Sequence, residues 1–532
     1  MRTAIALALL CATLPALADE NPLALPDGFV ERNSIPPEFA DPDWTRGVAK
    51  ARSLYEEFLL QGTPIQRGVV ALNYATTYNN SVAVKVGVDE SWKAIRGAID
   101  GARQSIDITM IGWQVDELVP IHKAETFGFD LIDELCAAAR RGVSVNVAVN
   151  DMWFKQHGWY LTGGFDRHFD NAISSGRCQD PTGKKLRYVR GIAWHNGIEA
   201  IGRYDHRKVW IVDGEVAYIG GYTVSDEMRD NMYDLEWELR GPVVAQLQAN
   251  FLLSMGYQRA PLADLRTCPS DLKKGPCKGI TADTVRAAVD AYFPPGSFDG
   301  DDYTRDITIV QNNPLLPGQA PLGATRLYRY LISSARDHLQ LSSPFFTSDE
   351  IYQRIQNSYG SSGCRLKVDV LFPERPEHML IWGKKARRKL RHLVARAEEI
   401  KTTVCAGQGE DVVVKAFSGD GACAANGKVG RLHGKVVLTD AYVTVGSTNL
   451  DGVSLERDLE LNVVSSDEDL IRTVNERFFR VGGADLCGHT LMFDRDDAEP
   501  IRSQRPGQQV RELEAGAQPG PPLVSASTVS SR

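Results

Sequence analysis

The chain has no excess of positive charge. It contains 60 Lys and Arg residues against 68 Asp and Glu residues, for a formal net charge of −8 at pH 7. Proteins that bind nucleic acid through its phosphates need a basic surface. The composition therefore disfavours nucleic acid as a general partner, although a local basic groove would still allow it to bind.

Long apolar runs are absent after the N-terminus, and no later stretch is apolar enough over enough residues to span a bilayer. The N-terminus itself has an apolar run from Ala4 to Leu14, followed by Ala16-Leu17-Ala18. This is the pattern of a secretory signal peptide with an A-x-A cleavage site. We therefore expect residues 1–18 to be a signal peptide and the protein to be exported, either to a periplasm or out of the cell.

Zinc-binding spacing is missing among the cysteines. Nine cysteines less Cys11, which lies in the expected signal peptide, leave eight. An even number in an exported chain predicts disulfide bonds. The expected pairs are Cys268 with Cys277 and Cys405 with Cys423, since each pair flanks a short loop. Buried free thiols are the alternative.

The most informative feature present is a duplicated string, His-x-Lys-x-x-x-x-Asp, which runs from His206 to Asp213 and again from His433 to Asp440. Side chains two residues apart on a strand share a face, so each copy brings an imidazole and an ammonium together. Two copies supply one histidine to attack a phosphorus atom and one to protonate the leaving oxygen. Lys208 and Lys435 would neutralise the phosphoryl oxygens.

A small-residue turn follows each copy, Gly220-Gly221-Tyr222-Thr223 after the first and Gly446-Ser447-Thr448-Asn449 after the second. With these turns the chain resembles the phospholipase D superfamily, whose signature is two HxKxxxxD motifs, each followed by a G-(G/S)-x-N turn. The resemblance covers about Glu90 to Phe479. It implies an α/β fold of two similar lobes, each a mainly parallel β-sheet flanked by helices, with one active site between the lobes.

An internal repeat also indicates two similar halves. Ile99, Ala102 and Arg103 recur 233 positions later in the chain, while the motif histidines are 227 positions apart. In each half a helical pattern leads into an apolar strand, which is typical of parallel sheets with helices on both faces. The predicted segments are a 19–89 N-terminal extension, a 90–260 first lobe, a 261–320 connection, a 321–493 second lobe and a 494–532 disordered tail.

The resemblance implies a role for each motif residue. His206 would form the covalent phosphohistidine, while His433 would protonate the departing alcohol and afterwards activate water. Lys208 and Lys435 would hold the non-bridging oxygens of the phosphate. The residues of the two turns expected to help them are Thr223, Ser447 and Asn449.

A buried imidazole needs a partner on its second nitrogen. The resemblance implies an acidic residue downstream of each motif, and Asp234 and Glu460 match; each is expected to orient the histidine of the opposite half. The alternative is a pair of solvated strand-edge carboxylates. Asp213 and Asp440 belong to the catalytic signature, yet we expect them to organise the turn after each strand. Thr223 replaces the usual Asn of the family, exchanging an amide for one hydroxyl.

Two loops should rim the site, because ligands of α/β sheets bind at the carboxyl ends of strands. The second loop continues into a basic stretch from Lys384 to Lys389. Apolar rings beside cations suit a phospholipid in a membrane interface. Core packing of the rings and a solvated helix are the alternative. The candidate substrate-contacting residues are Trp113, Trp153, Phe154, Trp159, Phe346 and Trp382.

These observations predict an exported phospholipase D that hydrolyses glycerophospholipids or transfers their phosphatidyl group, through a covalent phosphohistidine. Its partner would be a phospholipid, with transient contact to a membrane surface. Cardiolipin-synthase-like transfer and nuclease activity on nucleic-acid phosphodiesters are alternatives. A binding protein with a dead site is disfavoured, because both His-Lys-Asp sets are intact. We expect no metal and no cofactor, since two histidines and two lysines can supply the charge and the proton transfer.

Overall fold

The computed structural model describes residues 74–113, 126–149, 164–181, 186–190, 205–230, 232–257, 304–312, 323–373, 380–417, 431–480 and 490–491. All of these lie in one compact unit, residues 1–492. The expected signal peptide, the expected tail and the Cys268–Cys277 pair lie outside the described residues. So do three candidate substrate-contacting residues, Trp153, Phe154 and Trp159.

A mixed sheet of fifteen strands forms the centre of this unit. The strands of the first half are β1 (Tyr74–Val86), β2 (Ser105–Met110), β3 (Ser144–Val149), β4 (Arg187–Arg190), β5 (Val209–Val212), β6 (Val216–Gly220), β7 (Met232–Tyr233) and β8 (Leu235–Arg240). Those of the second half are β9 (Arg305–Asn312), β10 (His338–Ser342), β11 (Lys367–Pro373), β12 (Val412–Phe417), β13 (Arg431–Leu432), β14 (Val436–Thr439), β15 (Val443–Gly446), β16 (Glu460–Ser465) and β17 (Thr490–Leu491).

The strand order repeats from one half to the other. It runs β17-β12-β11-β10-β14-β15-β16-β9-β1-β8-β6-β5-β2-β3-β4, and β7 pairs with β13 in a separate two-stranded sheet. The strands β2, β3 and β4 are parallel, as are β10, β11 and β12. The other neighbours in the large sheet pair antiparallel. The α/β class with two related halves is therefore confirmed.

The expectation of mainly parallel strands is wrong, because the motif strands sit in hairpins. Only three residues separate β5 from β6, and three separate β14 from β15. Connections this short allow only antiparallel pairing, since a parallel crossover needs a dozen or more residues. Two central strands also lie outside the expected lobes: β1 belongs to the expected extension and β9 to the expected connection. They pair with each other and join the two halves of the sheet.

Helices cover the sheet in both halves. Those of the first half are α1 (Gly87–Gly101), α2 (Phe127–Arg140), α3 (Gly164–Ser174), α4 (Asp226–Asp230) and α5 (Pro242–Tyr257). Those of the second half are α6 (Gly323–Ser334), α7 (Asp349–Ser361), α8 (Leu380–Thr403), α9 (Gly452–Glu456) and α10 (Glu468–Val474), with a π-helical turn at Asn475–Phe479. Side-chain caps fix several helix starts; Ser348, Asp451 and Asp467 accept N–H groups at the first turns of α7, α9 and α10.

The halves share a hydrophobic core. One buried cluster contains Leu235 and Trp237 of β8, Ile307 of β9 and Leu461 of β16, so it crosses from one half to the other. A second cluster belongs to the first half and packs α1 and α2 against the sheet. In α1 the buried residues follow the helical period, as an amphipathic helix requires. Within the described ranges, no helix combines the length and the apolar character needed to cross a membrane.

Two disulfides are present among the described residues, Cys136–Cys178 and Cys364–Cys405. The predicted pair Cys405–Cys423 is wrong, because Cys405 bonds to Cys364, whose Cα lies 6.2 Å away. Cys364 follows the end of α7 and Cys405 follows the end of α8, and these two helices pack against each other. The pairing thus depends on helix packing, which the short Gly-rich loop after Cys405 does not reveal.

The motif aspartates close the turns at the far ends of their strands. Asp213 accepts the backbone N–H groups of residues 103–105 at 2.7–3.2 Å. Asp440 accepts those of residues 336–338 at 2.6–2.9 Å. Asp213 also has a φ of 56°, in the left-handed region that Asp and Asn tolerate better than most residues. Both carboxylates therefore tie the helix-to-strand connection of their half to a motif hairpin.

We expect Asp440→Ala to lower the free energy of unfolding by about 1–2 kcal/mol, because three backbone N–H groups lose a charged acceptor at a partly solvated turn. Turnover measured well below the melting temperature should remain near that of the wild type. Glu399→Ala, which removes an exposed carboxylate paired with Arg396, is the control and should cost less than about 0.5 kcal/mol. Lost turnover with unchanged unfolding would contradict this structural role.

Candidate active site

The two motifs face each other across the middle of the large sheet. His206 and Lys208 immediately precede β5, and His433 and Lys435 immediately precede β14. The backbone of each histidine is held by the opposite half: His206 N–H donates to the carbonyl of Leu459 at 2.9 Å, and His433 N–H donates to that of Tyr233 at 2.8 Å. The short strand β7 of the first half also pairs in parallel with β13 of the second half, which adds backbone hydrogen bonds between the two halves beside the histidines.

A carboxylate from the opposite half contacts each imidazole. His206 Nδ1 lies 2.9 Å from Glu460 Oε1, and His433 Nδ1 lies 2.8 Å from Asp234 Oδ2. Both carboxylates are buried. This cross-half geometry agrees with the expectation for Asp234 and Glu460. The carboxylate at Nδ1 of each ring favours the tautomer that carries its proton on Nδ1 and its lone pair on Nε2.

The motif lysines are buried beside the histidines. Lys208 Nζ donates to the carbonyl of His206 at 2.7 Å, and Lys435 Nζ donates to that of His433 at 2.6 Å. Lys435 Nζ also lies within 3.1 Å of both ring nitrogens of His433. Burial lowers the pKa of Lys208 to about 8 and that of Lys435 to about 7, although Asp234 and Glu460 both oppose the shift.

The histidines are held neutral at neutral pH. Burial is the largest cause of the lowered pKa of His206, and Glu460 partly opposes it. Burial and then Lys435 lower the pKa of His433 to about 4. A neutral imidazole suits nucleophilic attack. An anion bound nearby would raise the pKa of either imidazole and so favour its protonated, acidic form.

The second-half turn carries one buried amide. Asn449 is 5% exposed, and its Nδ2 is the atom that could donate to a phosphate oxygen. The hydroxyl of Ser447 donates to Glu460 and so fixes the carboxylate, while its contact with a phosphate stays a prediction. In the first half Gly221 takes the place of Ser447, and a side chain there would clash with Asp234. Thr223, at the position of Asn449, is half-buried.

Four expected site residues lie elsewhere. Asp213 and Asp440 stand at the opposite ends of β5 and β14 from the histidines, so they do not join the catalytic groups. Trp113 and Phe346 are fully buried. They form bridges to the residues that follow Thr223 and Asn449 in the chain, Val224 and Leu450. These two residues therefore lie in the core behind the turns, as the alternative of core packing expected, while the side chain of Trp382 lies outside the described residues.

Over the part of the chain that the structure describes, no group of three or more His, Cys, Asp and Glu side chains is arranged to hold a metal ion.

Glu236 is a buried acid that the sequence argument overlooked. It is 0% exposed, and neither carboxylate oxygen has a hydrogen-bond partner among the described residues. Burial and the nearby Asp234 raise the pKa of Glu236 well above its ordinary value. The equivalent residue of the second half is Asn462, which donates to the hydroxyl of Tyr328 at 3.0 Å. Glu236 lies on β8 two residues after Asp234, which immediately precedes that strand, and this D-x-E spacing could have revealed a second carboxyl beside the first.

Glu236→Gln tests whether this carboxyl is protonated in the folded protein. A raised folded-state pKa means that the wild type loses stability as pH rises above the ordinary Glu value of 4.5. The glutamine of the variant cannot ionise, so its unfolding free energy should exceed that of the wild type by an amount that grows with pH. The growth is up to about 1.4 kcal/mol per pH unit, from the ordinary Glu pKa up to the folded-state pKa of Glu236. Chemical denaturation from about pH 5 to 8 measures this. A pH-independent difference, like that expected for Glu399→Gln on the surface, would refute it.

Comparison with known proteins places the chain in a family. It matches the family model described as "Cardiolipin synthase, PLD-like domain" at residues 95–253 and again at residues 328–481. Cardiolipin synthase of Clostridium perfringens (strain SM101 / Type A) is 23% identical over 367 residues, which is 68% of this chain and 63% of that protein. Cardiolipin synthase of Staphylococcus aureus (strain Mu50) is 23% identical over 362 residues, 66% of this chain and 59% of that protein. The chain thus spans less than two thirds of the length of these relatives.

A solved structure supports the same fold. Phosphatidylserine synthase from Haemophilus influenzae Rd KW20 superposes with a TM-score of 0.52 at 13% sequence identity, covering 85% of this chain and 96% of that one. The two segments that match the family model make up more than half of the chain, and each contains one His-Lys motif with its turn. The chain therefore belongs to the phospholipase D superfamily and contains two copies of its domain.

Proposed function

We propose that the protein is a phosphatidyltransferase of the cardiolipin-synthase type, which moves a phosphatidyl group from a phospholipid to an alcohol through a covalent phosphohistidine. The observation that carries the proposal is the reciprocal pairing of the two motif histidines with buried carboxylates of the opposite half, beside two buried lysines. The relatives named cardiolipin synthase favour transfer over the hydrolysis that the motifs alone leave equally open.

The first half-reaction uses Nε2 of His206 as the nucleophile. Its lone pair attacks phosphorus, and the bond from phosphorus to the leaving alcohol breaks. His433, protonated once the anionic substrate is bound, donates its proton to the departing oxygen. Lys208 and Lys435 stabilise the negative charge that builds on the non-bridging oxygens, and Asn449 donates through its amide nitrogen.

The second half-reaction reverses these roles. His433, now neutral, takes the proton of an acceptor alcohol, whose oxygen attacks phosphorus and releases His206. Glu460 keeps the ring of His206 in one orientation through both steps. An alcohol and water would compete for the intermediate, so the product depends on which of them reaches phosphorus.

Export is part of the same proposal. The N-terminal segment has the pattern of a signal peptide. The disulfides Cys136–Cys178 and Cys364–Cys405 support an oxidising compartment, where such bonds persist.

His206→Ala should abolish turnover and covalent labelling, because no other group would take up the phosphatidyl moiety. His433→Ala should lower turnover by about 10²–10⁴-fold on a natural lipid, and by much less on a substrate with a good leaving group, which needs no acid. Quenching with denaturant at alkaline pH, where the nitrogen–phosphorus bond survives, followed by mass spectrometry of the protein labelled by a phosphodiester, locates the adduct. An adduct on His433 in the His206→Ala variant would reverse the assigned roles.

Phosphatidylglycerol supplied as the only lipid should give a lipid with two phosphatidyl groups on one glycerol, with free glycerol released. Added ethanol should divert part of the product to phosphatidylethanol, since any small alcohol can attack the intermediate. Thin-layer chromatography of the lipids measures both products. Phosphatidic acid as the dominant product at every alcohol concentration would indicate a hydrolase. Cleavage of plasmid DNA without any lipid product would support the nuclease alternative and refute the proposal.

A further inference from the structure

The first half of α8 carries a concentration of positive charge that the proposed chemistry does not use. Six of the eight residues from Lys384 to Arg391 are Lys or Arg, and residues 380–397 contain no Asp or Glu. The chain as a whole has a formal net charge of −8. The local charge of this helix is thus opposite to that of the protein.

The helix is amphipathic, so part of this charge faces outward. Its buried face is formed by Ala386, Leu390, Leu393 and Ala397. Lys384, Arg388 and Arg391 are exposed and follow each other at intervals of four and three residues. They therefore form one row along the outer face, spanning about 10 Å. We call these three residues the cationic stripe.

A chain of contacts connects α8 to the phosphate-binding turn. Leu450, which follows Asn449, accepts the N–H groups of Thr347 at 2.9 Å and Ser348 at 3.2 Å. Ser348 caps α7. Lys389, on the neighbouring face of α8, forms an ion pair with Asp349 at the start of α7. Through α7, this turn is thus connected to the basic part of α8.

The topology places the start of α8 at the catalytic edge of the sheet. The helix follows β11, which runs parallel to β10. At the end of β10, Ser342 Oγ donates to the carbonyl of Gly434, the residue between His433 and Lys435, at 2.8 Å. The ends of β10 and β11 therefore lie at the edge that carries His433, and the stripe begins within the first two turns of the helix after this edge.

We propose that the cationic stripe binds the anionic headgroup surface of a phospholipid bilayer and holds the catalytic edge of the protein against it. The inference rests on the proposed function, because a phosphatidyl donor lies in a bilayer. Charge complementarity determines the occupant: an anionic surface repels the rest of this acidic chain and attracts the stripe. The apolar sequence Leu380-Ile381-Trp382 at the start of the helix favours a membrane interface over nucleic acid.

The test compares two triple variants of equal charge. Lys384→Gln/Arg388→Gln/Arg391→Gln removes the stripe, while Arg365→Gln/Arg396→Gln/Arg472→Gln removes three exposed cations outside it. Flotation measures binding to vesicles of equal parts phosphatidylcholine and phosphatidylglycerol, with pure phosphatidylcholine as the uncharged reference. The stripe variant should bind the mixed vesicles at least about tenfold more weakly than wild type, and the control within about twofold. The difference should shrink at high salt.

Turnover of a soluble short-chain phosphodiester separates this inference from the proposed function. Both variants should keep wild-type turnover, since neither changes a residue of the catalytic site. Equal vesicle binding by the two variants would overturn the role of the stripe. Weaker binding of single-stranded DNA by the stripe variant, with vesicle binding intact, would assign the stripe to nucleic acid instead. A wild type that binds the mixed vesicles but shows no lipid transfer would refute the proposed function and leave the surface assignment standing.

Discussion

The site depends on a reciprocal exchange between the two halves of the chain. Each motif histidine has its backbone N–H and its Nδ1 held by the opposite half, His206 by Leu459 and Glu460, and His433 by Tyr233 and Asp234. Burying ionisable groups is costly unless each has a partner. Because the partners come from the other half, neither half alone could hold its imidazole in this environment. Strands β1 and β9, paired at the centre, keep the two halves in one sheet.

The symmetry is broken at equivalent positions, with chemical consequences. The longer Glu460 reaches His206 and accepts from the hydroxyl of Ser447. The shorter Asp234 must approach more closely, and Gly221 leaves the space for its carboxylate. The two imidazoles therefore sit in different surroundings, and burial together with Lys435 lowers the pKa of His433 to about 4. Two equivalent motifs can thus take unequal parts in one reaction.

The sequence predicted those parts of the site that follow from local rules. Period-two spacing put each lysine beside its histidine, and the resemblance to the phospholipase D superfamily implied that Asp234 and Glu460 would each contact the histidine of the opposite half. What it missed depends on distant packing. Ser447 is held by a carboxylate thirteen residues away, and Cys405 pairs with Cys364 because two helices pack together. The central strands β1 and β9 carry no motif, so a boundary drawn from the motifs left them outside the lobes.

The lysines make the electrostatics of the site depend on its ligand. With pKa values of about 8 for Lys208 and about 7 for Lys435, part of their charge is absent from the empty site near neutral pH. A bound phosphodiester is an anion, which favours the charged form of every nearby base and raises these pKa values. In the proposed reaction, binding would therefore draw protons into the site, onto both lysines and onto the imidazole assigned as the acid. A lysine whose pKa is lowered by burial carries less charge than a permanent cation, and this reduces the cost of burying two ammonium groups in one site.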